Sequence, residues 1–421
     1  MRETQHNLRA PKPVNRLFYF LASTTIRRLI FHFCRLRPKN IRIIPPAGAG
    51  ILVANHVNVF DPIWIYDVLR RPVHFVASEE LFRSRILAPV VRQFGTFAIR
   101  KRARDIQSIR NMVKVIRSGG LLGIYPEGTR TWDGISLPIL PTIARIIRMM
   151  RVPVYSCRVE GGYLQRPRWA DRWRPLRVRL VFDRLYPAEA IPESEQQIMK
   201  DLAEAIQTRD YELPIPRSNG RRVAGLASGI YRLLYRCPNC GNLESLEAVK
   251  PLSSNRVECR SCFAVWEIDL GCRLTPVDDE GTAVGERQIA ADFYRRIREM
   301  PLKPIHSSLL ELEDGEKLYL ASRSHFCYRE KRYPNLRLLA YGRAFLTDRR
   351  FVFKGRGKRK NNVKLAAPLE QIEALNIEPG NKLHFIYRNC LYRIPIHRES
   401  PVKWQDYMEQ LITRRKRQAD G

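Results

Sequence analysis

Residues 43–186 predict an α/β fold, a mostly parallel sheet with covering helices. Three observations carry this. Short apolar runs alternate with amphipathic stretches along the whole segment, the pattern of a sheet wound with helices. Two of the apolar runs, 50–54 and 121–125, are each followed at once by a polar motif, as at the ligand-binding edge of such a sheet. Gly119-Gly120 closes a helical stretch directly before a strand.

In chain order, strands are expected at 50–54, 73–77, 97–99, 121–125, 152–159 and 178–182. Helices are expected at 62–70, 84–93, 103–117, 141–150 and 194–207. The first strand, Gly50-Ile51-Leu52-Val53-Ala54, leads into Asn55-His56-Val57-Asn58-Val59-Phe60-Asp61-Pro62. Asp61 stands at the N-cap of the next helix and Pro62 at N1. On one continuous helix, residues five apart point about 140° away from each other. An irregular strand-to-helix turn can instead bring His56 and Asp61 together. His is the side chain suited to general-base work near neutral pH, and a carboxylate can fix its tautomer. The simpler reading has Asp61 only capping a helix and His56 only ending a strand.

A second block, Tyr125-Pro126-Glu127-Gly128-Thr129-Arg130, decides between them. The two blocks resemble the PlsC-like glycerolipid acyltransferases, which make phosphatidate from lysophosphatidate and an acyl donor. Asn55-His56 with Asp61 resembles the family's NH-x4-D block, and residues 126–130 resemble its PEGTR block. Gly95-Thr96-Phe97-Ala98-Ile99-Arg100-Lys101 and Val152-Pro153-Val154 resemble two further blocks, in the same order. The resemblance covers roughly residues 15–210.

The resemblance implies a glycerol-3-phosphate acyltransferase-like fold. It also implies acyl transfer from an acyl thioester, acyl-CoA or acyl carrier protein, to a lysophospholipid hydroxyl. His56 and Asp61 would be catalytic. Asn55, Arg100, Lys101, Glu127, Gly128, Thr129 and Arg130 would bind substrate, with Arg130 on the acceptor phosphate. Lys101 stands where the family usually has Arg, and it lacks the planar fork. Residues 137–141, Leu-Pro-Ile-Leu-Pro, lack the lysines that the family has after its PEGTR block. The acceptor therefore need not be lysophosphatidate. No Gly-x-Ser-x-Gly elbow appears, so no covalent acyl-enzyme is required.

The net charge is +32, with 74 Lys and Arg against 42 acidic residues. Such a balance favours an anionic partner. No nucleic-acid-reading motif is present, so the expected partner is an anionic membrane surface at the cytoplasmic face of the cell membrane. No signal peptide and no run of about 20 apolar residues is found. Residues 15–35 read as an amphipathic helix for the membrane interface. The run Arg166-Pro167-Arg168-Trp169-Ala170-Asp171-Arg172-Trp173-Arg174 suits the headgroup layer.

Four of the nine cysteines, Cys237, Cys240, Cys259 and Cys262, form C-x2-C-x18-C-x2-C. This spacing predicts one structural Zn²⁺ and resembles a zinc ribbon. Cys34, Cys157, Cys272, Cys327 and Cys390 lie outside the pattern. Further on, seven short strand runs between 336 and 396 and a helix over 401–413 resemble a PH-like or GRAM-like domain. The basic run Lys354-Gly355-Arg356-Gly357-Lys358-Arg359-Lys360 falls in one of its hairpins.

The expected organisation is a tail and interface helix (1–40), the acyltransferase domain (41–211) and a linker (212–230). A zinc ribbon (231–275), a connecting helix (276–302) and a PH/GRAM-like domain (303–421) follow. On this reading the two halves are separable in stability. The competing function is a catalytically silent lipid-binding or scaffold protein.

Overall fold

In the computed structural model, the described residues are 36–69, 71–84, 87–99, 106–214, 223–251, 254–332, 335–357 and 361–419. The expected interface helix over 15–35, Arg100, Lys101, Cys34 and Lys358-Arg359-Lys360 lie outside them.

Every residue of β2 (Gly50–Ala54) is buried. This strand is central because both of its faces are apolar. Ile51 and Val53 join one core cluster, and Leu52 and Ala54 another. Around it are β1 (Arg37–Lys39), β3 (Val73–Ser78), β4 (Phe97–Ile99), β5 (Leu121–Ile124), β6 (Val154–Glu160) and β7 (Arg179–Tyr186). The sheet order is β1-β7-β6-β2-β5-β3-β4. Only the β6–β7 pair is antiparallel. The expected mostly parallel sheet is thus present, with β1 as a strand the sequence reading lacked.

Helices α1 (Asp61–Leu69), α2 (Leu87–Gln93), α3 (Ile106–Arg117), α4 (Pro141–Met150), the short α5 (Gly162–Gln165) and α6 (Glu195–Ala205) accompany it. Met112, Val115 and Ile116 of α3 pack with Ile143 and Ile147 of α4 and Ile198 and Leu202 of α6 on one face. Trp64 and Ile65 of α1 pack on the other. β2 and β5 are parallel neighbours, so the motifs that follow them emerge at the same edge.

A second, antiparallel sheet runs β12-β11-β10-β9-β8. Its strands are β8 (Leu246–Ala248), β9 (Arg256–Cys259), β10 (Val265–Ile268), β11 (Arg273–Val277) and β12 (Gln288–Ile289), and α7 (Ala290–Glu299) follows. A third sheet is built from β13 (Leu318–Arg332), β14 (Asn335–Thr347), β15 (Arg350–Arg356) and β16 (Asn362–Pro368). β17 (Glu373–Glu378), β18 (Lys382–Tyr387) and β19 (Cys390–Pro395) complete it, and α8 (Pro401–Ala419) closes the chain. Its order is β16-β15-β14-β13-β19-β18-β17. The seven strands are not the seven expected. The runs at 336–341 and 344–346 are one strand, β14. β13 was missed because polar residues interrupt its apolar ones.

Three expectations need correction. Part of the supposed linker is core, since Leu226, Ala227 and Ile230 are buried. The arginine and tryptophan run is largely interior. Trp169 and Arg174 are buried, and Arg174 donates to the carbonyls of Leu226 (3.2 Å) and Leu270 (3.1 Å). Asp171, Arg172 and Trp173 are exposed and fit the surface reading. The halves are also interlocked. Arg83 pairs with Glu330 at 2.7 Å, Lys382 with Glu80 at 3.0 Å, and Ser78 with Glu378 at 3.1 Å. Among the described residues, no helix is long and apolar enough to cross a membrane.

Candidate active site

The chain leaves β2 in an irregular turn that the Asp61 carboxylate organises. Asp61 Oδ2 accepts from the backbone N–H groups of Val57 and Asn58, both at 2.8 Å. The same oxygen lies 3.0 Å from His56 Nδ1. Three donors converge on one oxygen, and the turn brings residues five apart face to face. With Nδ1–H donating to the carboxylate, Nε2 is the basic nitrogen. Asp61 is fully buried, while the His56 side chain keeps 21% of its surface exposed. His56 stacks on Tyr125 at 4.1 Å, and Tyr125 stacks on Phe75 at 5.4 Å. The imidazole is thus held at its edge by a carboxylate and at its face by a ring.

Glu127, at the end of the loop after β5, spans two backbone groups. Oε2 accepts from His56 N–H and Oε1 from Leu137 N–H, each at 3.0 Å. Both oxygens hold backbone, which fits a strut better than a proton carrier. Burial pushes the Asp61 carboxyl up to about 8, against the pull of the Asn58 and Val57 N–H groups and Arg130. Burial also raises Glu127 to about 7. Gly128 has φ +72°, and a Cβ there would come within 2.8 Å of Leu140 Cδ1, so this turn requires glycine.

Arg130 shares the Asp61 field. Burial pulls its pKa below the usual arginine value and the carboxylate pulls it back up. Among the described residues its guanidinium has no hydrogen bond or ion pair, which leaves its fork available to an anion. Thr129 lies beside it.

Asn55 takes a different place from the one expected. It is fully buried and donates to Val159 O (3.0 Å) and Thr208 Oγ1 (3.1 Å). It also accepts from Val159 N–H at 2.7 Å. Its amide ties β2 to β6, with both of its polar atoms engaged inside the protein.

Sequence reasoning missed Tyr125 as a platform for the imidazole, and it missed Arg168. Arg168 stacks over Trp132 at 4.1 Å and donates to Arg130 O at 2.8 Å. Its other terminal nitrogen donates to the carbonyl of Ile377 in β17. It therefore braces the arginine loop against the third sheet. The arginine run around it was the only signal in the sequence, and that run gave no partner.

Residues 35–160, which hold His56, Asp61, Glu127 and Arg130, match the Acyltransferase family. The chain carries an acyltransferase-family domain. A 1-acyl-sn-glycerol-3-phosphate acyltransferase of Bacillus subtilis (strain 168) is 25% identical over 118 residues, 28% of this chain and 58% of the relative. One of Limnanthes alba is 26% identical over 140 residues, 32% of this chain and 48% of the relative. The chain spans about half the length of the curated relatives it matches. The crystal structure of the lysophosphatidate acyltransferase PlsC from Thermotoga maritima aligns with TM-score 0.39 and 19% identity. That alignment covers 48% of this chain and 96% of that one. The second and third sheets lie outside residues 35–160 of the family match.

One of these holds the cysteine cluster. The Sγ atoms of Cys237, Cys240, Cys259 and Cys262 all lie within 4.8 Å of one another. Cys237–Cys262 and Cys240–Cys259 are each 3.7 Å apart. A Zn–S bond of about 2.3 Å gives a tetrahedral edge of about 3.8 Å. Backbone N–H groups of Asn239 and Ser261 point at Cys237 and Cys259 Sγ, each at 3.4 Å, as thiolate ligands require. The donor set fits Zn²⁺.

Proposed function

We propose that this protein transfers a fatty acyl group from acyl-CoA or acyl carrier protein to the hydroxyl of a lysophospholipid of the 1-acyl-glycerol-3-phosphate type. The observation that carries this reading is the His56 Nδ1–Asp61 Oδ2 contact of 3.0 Å in a domain of the acyltransferase family. A hydroxyl is a poor nucleophile at neutral pH and needs a base as it attacks. His56 Nε2 takes the hydroxyl proton while the oxygen adds to the thioester carbonyl. The C–S bond then breaks, and the thiolate receives that proton from His56. Asp61 stabilises the imidazolium in between, and Arg130 binds the acceptor phosphate. Glu127, Gly128 and Thr129 shape the loop around that phosphate.

The protein acts peripherally, at the cytoplasmic face of the cell membrane. The third sheet with α8 is the PH/GRAM-like part. The four cysteines hold one zinc that chains the second sheet together without entering the chemistry, and elemental analysis should find one zinc per chain.

Incubating the purified full chain with acyl donors and a panel of lysolipids, with products read by mass spectrometry, tests the reading. Arg130→Ala should raise the KM for a phosphate-bearing acceptor by about 10- to 100-fold, the worth of a charged hydrogen bond. It should leave the donor KM nearly unchanged. A rise in the donor KM alone would contradict the phosphate assignment.

The pH profile carries a second expectation. Catalysis needs Asp61 ionised, and its pKa is raised to about 8, so kcat/KM should climb as pH rises through 7 to 9. Stability should move the other way. Between about 4 and 8, folded Asp61 keeps a proton that the unfolded chain has lost, so this group makes stability fall as pH rises. A flat rate profile over that range would remove Asp61 from the mechanism.

A further inference from the structure

The third sheet carries much of the positive charge. Residues 318–368 hold fourteen Lys and Arg against two acidic residues, Glu330 and Asp348. Both carboxylates are used elsewhere. Glu330 pairs with Arg83, and Asp348 accepts from Lys317 N–H.

The register turns this composition into a surface. Across β13, β14, β15 and β16, one row runs Ser324–Arg343–Lys354–Lys364. The adjacent row runs Phe326–Tyr341–Arg356–Asn362. Direct cross-strand partners share a face, and so do residues two apart on a strand. All eight side chains therefore stand on one side of the sheet. The next row on that side, Phe345–Val352–Ala366, is covered, because Phe345 and Val352 pack with Ile305 and Leu310. The covering segment ends at the first cation, where Lys354 Nζ donates to Leu309 O at 3.2 Å. Beyond it the face is open. Arg343, Arg356 and Lys364 are exposed, Phe326 is 46% and Tyr341 50% exposed, and their rings touch at 4.8 Å. Leu309, at the border, is 50% exposed.

Like charges directly opposite each other destabilise a sheet. Here three stand in one row, and among the described residues none of the three has a carboxylate partner. Among the described residues nothing supplies the counter-charge, and an external anion can. Exposed Phe and Tyr beside the cations ask for a partner with an apolar layer under its anions. We infer that this open face of the third sheet docks on an anionic phospholipid surface, with Arg343, Lys354, Lys364 and Arg356 at the phosphates and Phe326 and Tyr341 at the acyl boundary. The inference goes beyond the expected basic hairpin, because it rests on a sheet face and not on the 358–360 loop. It also stands apart from the catalytic reading, since none of these residues belongs to the His56 site.

The test is co-sedimentation of the full chain with phosphatidylcholine vesicles, with and without about one third phosphatidylglycerol. A mixed-sequence RNA serves as the competing anion. Binding should require the anionic lipid and weaken as salt rises. Each cation near such a surface is worth roughly fivefold in affinity, so Arg343→Glu with Lys364→Glu should weaken binding by at least roughly 30-fold. Phe326→Ser with Tyr341→Ser should weaken it without changing the salt slope. The control, Lys114→Glu with Arg117→Glu on exposed positions of α3, makes the same change in net charge and should bind nearly as wild type. Turnover of soluble, short-chain substrates should be unchanged in the sheet-face variants, so a failed docking test leaves the catalytic reading standing. Equal losses from the control pair, or RNA bound more tightly than the anionic vesicles, would overturn the assignment.

Discussion

His56→Ala is expected to lower acyl transfer by roughly 10²- to 10⁴-fold, the contribution of a positioned proton carrier. The loss should fall on kcat, because the imidazole acts as the hydroxyl attacks and not in holding substrate. The fold should survive. His56 keeps its backbone links to Glu127 and Thr131 whatever its side chain, and the ring is partly exposed. Asp61→Asn should be nearly as severe for another reason. An amide oxygen in the place of Oδ2 can still accept from the Val57 and Asn58 N–H groups and from Nδ1–H, but it carries no charge with which to stabilise an imidazolium. A folded His56→Ala protein with near-normal turnover would end the general-base assignment.

Truncation after Pro214 is expected to destabilise the acyltransferase domain strongly, although the sequence suggested separable halves. Cutting there removes the acceptors of Arg174 and uncovers Trp169 and Leu176, which share a core cluster with Leu226, Ile230, Leu233 and Leu274. Apolar surface taken from the core in this way is among the larger losses a fold can suffer. The cut also strips Arg83 of Glu330, Glu80 of Lys382 and Arg393, and Arg168 of Ile377. A thermal melt should show a transition lowered by many degrees, or no cooperative transition at all. An unchanged melting temperature with full activity would show that these contacts are incidental.

The parts legible in the sequence are those set by neighbours in the chain. The apolar run of β2, the Pro at the start of α1 and the five-residue spacing of His56 and Asp61 are local, so pattern and capping rules reach them. The cysteine doublets are legible because their spacing is itself geometric. The illegible parts depend on long-range packing. Arg168 meets Ile377 across 209 positions, and nothing in either neighbourhood announces it. Leu226 and Ile230 sit in a stretch rich in Gly and Ser, yet the second sheet buries them. β13 escaped notice because a strand between two sheet neighbours can carry Arg, Ser and His at positions whose partners the sequence does not reveal.

The most direct test of the central claim is the product formed by the purified full chain from acyl-CoA and 1-acyl-glycerol-3-phosphate, with intact-protein mass measured in parallel. The account predicts diacylated lipid and free CoA in equal amounts, no acyl adduct on the protein, and loss of product in His56→Ala. A stoichiometric acyl-protein adduct, or equal product from His56→Ala, would contradict it.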